Sequence, residues 1–170
     1  AAGHNDGRTL QVVLGLLHDL VHNGTIYFLS RPRRFGKSLL VSILKCYFEG
    51  KKELFKGLAI DKLEKEWKQY PVFHLSFGGQ NYVEPYTLEH VLEEFIARAE
   101  LVYGKDEFAK TLSSRFRAVL KNAHAKTGVR AVVLIDEYDK PLLDVMDMDI
   151  SVQNEYGKMT LEDYNRNLLK

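Results

Sequence analysis

The sequence predicts an α/β layered sheet, and three observations carry that expectation. Short β-prone runs alternate along the chain with longer stretches of helical spacing. One run, Ala131-Val132-Val133-Leu134-Ile135, is continuous and apolar, the composition of a strand covered on both faces. Residues 25–48 read as a strand, a glycine-bearing polar turn and a helix in immediate succession.

Composition narrows the classes. The 170 residues suit one domain or part of a larger one. With 28% charged and 45% hydrophobic residues, the balance is that of a folded soluble protein, which excludes a disordered or fibrous chain. Lysine and arginine number 24 against 23 acids, so the formal charge of +1 supplies no overall field for nucleic acid or an anionic membrane, and only local clusters count. A single cysteine, Cys46, excludes an intrachain disulfide scaffold and fits a reducing cytoplasm. The apolar runs fall far short of the ~20 residues of a membrane helix, and no secretory signal opens the chain. The expected location is cytoplasmic, with no membrane partner.

The elements follow in order. Leu10, Val13, Leu14, Leu17, Leu20 and Val21 share a helical face that Asn23-Gly24 ends. Thr25 to Leu29 reads as a buried strand, Arg31 to Lys37 as a turn, and Ser38 to Phe48 as a helix through Leu39, Leu40, Ile43, Leu44 and Tyr47. Gly50 to Gly57 is a lysine-rich connection. Leu63 and Trp67, four apart, predict a short surface helix that Pro71 terminates. Val72 to Phe77 is a second strand, followed by a loop through Gly78-Gly79 and Pro85. Thr87 is the expected N-cap of a helix burying Leu88, Val91, Leu92, Phe95, Ile96 and Ala99. Asp106 is expected to open the next helix, which buries Phe108, Leu112, Phe116, Val119, Leu120 and Ala123 and closes at Thr127-Gly128. Beyond the strand at 131–135 the chain reads as acidic loop, then a helix from Thr160 or Leu161 still running at Lys170. No internal repeat is visible.

Gly36-Lys37-Ser38, between a strand and a helix, is the end of a P-loop. Curling the backbone so that successive N–H groups face a β-phosphate needs a residue without Cβ, here Gly36. The helix N-terminus adds its positive field. Lys37 would reach the β- and γ-phosphates, and the Ser38 hydroxyl would ligate Mg²⁺. Arg31 stands where the full motif has its first glycine. The apolar strand ending in Asp136-Glu137 has the form of a Walker B motif, because ligands of open parallel sheets bind at the strands' C-terminal ends. Asp136 would hold the metal, and Glu137, expected to face the other way along the strand, would deprotonate the attacking water.

Other patterns carry less. His18 and His22 imitate a zinc helix but enclose aspartate where its general base belongs, and the helix ends at once. Asp144, Asp147 and Asp149 lack the glycine and terminal glutamate of a calcium loop. Arg31, Arg33, Arg34 and Lys37 cluster four cations, which suits the nucleotide's phosphates, a foothold on nucleic acid, or solvated charge.

The segments Ile26 to Leu40, Tyr47-Phe48-Glu49-Gly50 and Leu134 to Leu142 together resemble the bacterial AAA-ATPase-like domain family. The resemblance runs over roughly residues 21–170 and leaves 1–20 as an atypical N-terminal segment. Arg31 in place of the first glycine is usual in that family. The resemblance implies a three-layer α/β P-loop NTPase fold with a mostly parallel sheet. It also implies that the sheet is incomplete here, since the strand that would follow Asp136-Glu137 and end in a sensor residue is not visible. It implies an ATPase whose cofactors are ATP and Mg²⁺, with Lys37 and Glu137 catalytic. Arg34, Phe35, Gly36, Lys37, Ser38 and Leu39 would hold the nucleotide, and Ser38 and Asp136 the metal. The resemblance further implies that a C-terminal nuclease-like domain, which members of the family commonly carry, is a candidate partner in the parent protein, and that an arginine finger would come from outside these motifs or from a second copy of the chain in a homo-oligomer. The competing expectation is a nucleotide-gated or DNA-associated switch with negligible turnover.

Overall fold

A computed structural model describes residues 26–28, 36–155 and 157–170. The expected helix at 10–21 and the turn residues Arg31 to Phe35 lie outside them. The chain divides into two compact units, residues 1–72 and Phe73–Lys170.

In the first unit, helix α1 (Lys37–Phe48) forms where the spacing of Leu40, Ile43, Leu44 and Tyr47 places one apolar face. That face packs on Phe55 and Ile60, and Trp67 closes the cluster with its ring 5.6 Å from Tyr47 and 5.2 Å from Phe55. The lysine-rich connection contains a 3₁₀ turn at Lys52–Phe55, which turns Phe55 inward to 3% exposure.

Two expectations fail in this unit. Ile26, Tyr27 and Phe28 form no strand and are exposed, Ile26 at 90%. β-prone composition is a weaker determinant of a strand than its surroundings are. The helix expected to carry both Leu63 and Trp67 is instead α2 (Ala59–Leu63), and Pro71 does not end it. Glu64 is already extended, with ψ 117°. Its carboxylate accepts the Tyr47 hydroxyl and the Glu66 N–H, and those bonds hold the chain out of helix before Trp67 is reached.

The second unit is built on strands β1 (Val72–Ser76, beginning at the boundary) and β2 (Val132–Asp136), which form a two-stranded sheet. The Phe77 N–H donates to the Asp136 carbonyl at 3.1 Å, so the C-terminal ends of both strands lie side by side and the strands run parallel. Between them in sequence come helices α3 (Thr87–Tyr103) and α4 (Leu112–Thr127). Phe73 on β1, Ala99 on α3, and Val119 and Ala123 on α4 form one buried cluster, and Leu75, Phe77, Tyr82 and Leu88 form another. The fold is mixed α/β with small sheets.

The starts of α3 and α4 both differ from expectation. Tyr86, not Thr87, is the N-cap of α3, at φ +67° with no side-chain cap; its hydroxyl is drawn to the Gln153 carbonyl at 2.7 Å. Thr111, not Asp106, opens α4 through a capping box with Ser114. Asp106 instead accepts the Phe108 N–H in a local turn, which leaves Phe108 93% exposed rather than buried. Gly128 does close α4, at φ +72°. On β2 the alternate residues Val133 and Ile135 are 39% and 48% exposed, so among the described residues the cover expected on both faces is found on one.

The acidic stretch after β2 holds more structure than its composition suggests. It forms α5 (Lys140–Leu143), then the antiparallel pair β3 (Ser151–Asn154) and β4 (Gly157–Thr160) in the register Ser151↔Thr160, then α6 (Leu161–Leu168). Val152 and Leu161 are buried with Val145 and Tyr164, and that tertiary cluster makes so short a hairpin stable. Helix α6 ends at Leu168 rather than running on through Lys170.

Arg115 joins α4 to α3 through two ion pairs. Arg115 donates from Nε and Nη2 to the two carboxylate oxygens of Glu100, both at 2.9 Å, and from Nη1 to Glu93 at 3.1 Å. The guanidinium holds the Glu100 carboxyl below the usual carboxylate range. A carboxyl depressed by folding stabilises the native state fully above its unfolded value of about 4.3, and the contribution is lost as pH falls through the lower folded value. Glu100→Gln is therefore expected to lower the urea midpoint at pH 7, and the gap to the parent should close as pH is taken below about 4. A gap independent of pH would show that the charge contributes nothing.

Candidate functional site

In the first unit, the candidate phosphate-binding residues lie at the start of α1. Gly36 is its N-cap at φ +72°, a conformation that disfavours any residue with a Cβ, although a Cβ there would meet nothing within 4 Å. The requirement is one of backbone angle, not of space. Gly36 brings no side-chain cap and the first turn holds no acid. The first internal bond runs from the Leu40 N–H to the Gly36 carbonyl at 3.0 Å, so the amides of residues 37–39 are those that a helix leaves without an internal partner. Lys37 stands in this first turn, where the helix dipole disfavours a cation. An anion at the terminus would satisfy the amides and reverse that cost, so the residues present fit a phosphate. Ser38 and Leu39 are exposed, Leu39 at 63%. The Ser38 carbonyl accepts the Ser42 hydroxyl at 2.9 Å. Arg34 and Phe35 lie outside the described residues.

In the second unit, the candidate carboxylates lie at the C-terminal end of β2. Asp136 is the last strand residue and is 8% exposed. Its Oδ1 accepts the Glu137 N–H at 3.0 Å, a charge-assisted bond that orients the carboxylate. Such a hard, oriented oxygen donor fits Mg²⁺.

Glu137 is not placed by strand alternation as expected. It leaves the strand at φ +53°, in the left-handed region that glutamate seldom occupies. Its carbonyl accepts the Lys140 N–H at 3.0 Å, which closes the turn into α5. The Glu137 carboxylate lies against Gly78, just beyond the end of the neighbouring strand β1.

Sequence reasoning passed over three residues near these carboxylates. Tyr82 is fully buried; burial first, then the charges of Asp144 and Glu137, push its hydroxyl up to about 12, so it stays neutral. Lys140 pairs with Asp144 and stands 5.6 Å from the centre of the Tyr82 ring. Gly78 was legible only as a loop glycine. A glycine directly after a strand's C-terminal end was the available signal, since that end is where ligands bind in parallel sheets.

A lysine-bearing helix start behind a left-handed glycine, and a parallel strand that ends in Asp136 with Glu137 directly after it, are the parts from which nucleotide-hydrolysing domains are made. The chain belongs to the AAA-ATPase-like family, described as predicted AAA-ATPases, whose profile matches residues 15–170. A relative from Azotobacter chroococcum mcd 1, named "Uncharacterized protein in vnfD 5'region", is 41% identical over 130 residues, which cover 76% of this chain and 25% of that protein. The chain thus spans about a quarter of the length of that relative. No solved structure matches this chain. Among the described residues no helix is long and apolar enough to cross a membrane.

Proposed function

We propose that the chain binds Mg·ATP and hydrolyses the β–γ bond, as the motor or regulatory part of a larger protein. The observation that carries this reading is Lys37: a cation held in the first turn of an uncapped helix, behind a left-handed glycine, is an arrangement that an anion completes. Arg34, Phe35, Gly36, Lys37, Ser38 and Leu39 enclose the phosphates in this reading, with Lys37 neutralising the β and γ groups. The Ser38 hydroxyl and the Asp136 carboxylate hold Mg²⁺, which when bound draws charge from the phosphate oxygens. Glu137 takes the proton of the attacking water. The architecture that this reading requires is a three-layer P-loop sheet, mostly parallel, and its setting is the cytoplasm.

Calorimetric titration of the full-length protein with ATP, with and without Mg²⁺, tests the reading. Binding is expected to be tighter with the metal. Asp136→Asn, which keeps an oxygen for the Glu137 N–H, is expected to remove that advantage. A full-length protein that does not bind ATP, or an Asp136→Asn variant with undiminished metal dependence, would sink it.

A further inference from the structure

We infer that Gly78 is a positioning residue for Glu137, holding the carboxylate of the water-activating glutamate by having no side chain. The inference rests on the reading of Glu137 as the base. A Cβ at Gly78 would lie 3.2 Å from Oε2, 3.3 Å from Cδ and 3.3 Å from Oε1 of Glu137. Three nearly equal distances mean that the carboxylate presents its flat face to the point where a Cβ of residue 78 would stand, and a methyl group there would press on that face. Such contacts are tighter than nine in ten of those that real Cβ atoms make, so the carboxylate would have to give by a few tenths of an ångström.

Neither partner is free to retreat as a whole. The Gly78 N–H is bonded to the Ser76 hydroxyl at 3.3 Å, and the preceding N–H, of Phe77, is bonded to the Asp136 carbonyl at 3.1 Å. On the other side the Glu137 N–H is held by the Asp136 carboxylate at 3.0 Å, and the Glu137 carbonyl by the Lys140 N–H at 3.0 Å. The backbone between them is the left-handed turn at φ +53°, a strained conformation of the kind that persists where its surroundings over-determine it. With both main chains fixed, a methyl at 78 can be accommodated only by rotating the Glu137 side chain, which moves the carboxylate off its line. A misplacement of 1 Å costs about 10²-fold in rate, so a few tenths should cost about fivefold.

The test is a pair of cycles on the full-length protein. Gly78→Ala is expected to lower kcat for ATP about fivefold with KM and nucleotide Kd unchanged, since the phosphate contacts are not at this position. In a Glu137→Gln background, where the base is already gone, the same change is expected to cost nothing further. The second cycle reads denaturation midpoints and needs no activity. Gly78 does not have a positive φ, so alanine there should raise the midpoint by restricting the unfolded chain once Glu137→Ala has removed the carboxylate, and should fail to raise it while Glu137 is present. An equal loss of kcat in both backgrounds, or a change confined to KM, would overturn the inference. A parent without turnover overturns the reading of Glu137 as the base and with it the catalytic role of Gly78. The denaturation cycle shows separately whether the contact itself exists, and no coupling there would overturn the placement as well.

Discussion

Replacing Glu137 with glutamine is expected to lower ATP turnover by about 10²- to 10⁴-fold while nucleotide affinity is held or improved. The amide keeps the length and hydrogen-bonding reach of the carboxylate but cannot accept the proton of the attacking water. Its main-chain anchors, to Asp136 and Lys140, are unaffected because they run through the backbone. The loss should therefore fall on kcat and leave the ground state intact, the signature of an interaction made in the transition state. Steady-state hydrolysis and equilibrium binding on the full-length protein measure the two quantities separately. Unchanged hydrolysis in Glu137→Gln would remove Glu137 as the base. A parent that binds ATP and hydrolyses none of it would favour the nucleotide switch instead.

Lys37→Ala is expected to weaken ATP binding by about ten- to a hundredfold. A charge-assisted contact between an ammonium group and phosphate is worth roughly 1.5–3 kcal/mol, and alanine removes it without disturbing the helix, in which alanine is the best-tolerated residue. The variant carries a second, opposite consequence. Because Lys37 opposes the dipole of α1 in the nucleotide-free protein, its removal should leave the free protein as stable as the parent or slightly more so. Calorimetry with ATP and a denaturation curve without it test both halves. Unchanged affinity would remove the phosphate reading of residues 34–39.

The local elements were legible because each is written in short-range pattern. The repeat of Leu40, Ile43, Leu44 and Tyr47 specifies α1 and places Gly36-Lys37-Ser38 at its start, where a helix leaves amides without partners. The apolar run at 131–135 specifies a strand, and its polar end puts Asp136 at the edge where ligands bind. The internal faces of α3 and α4 followed from the same 3.6-residue period, and Gly128 marked where α4 stops. These depend on residues within a turn or two of one another, so the sequence alone determines them, and with them the family.

What required the tertiary structure is what depends on distant partners. Trp67 has helical spacing from Leu63, yet the chain is already extended there because the Tyr47 hydroxyl claims Glu64. Phe108 has the spacing of a core residue and is exposed, because Thr111 and Ser114 offer a stronger helix start three residues later. The hairpin of β3 and β4 has too few alternating apolar residues to announce itself and exists through Val152's burial among Val145, Leu161 and Tyr164. Glu137 shows the division most sharply. Its identity and its place after Asp136 are local facts, but its left-handed backbone and the glycine beneath its carboxylate are set where the ends of β1 and β2 meet. No periodicity encodes that meeting, because it pairs two strands that lie far apart in sequence with two helices between them.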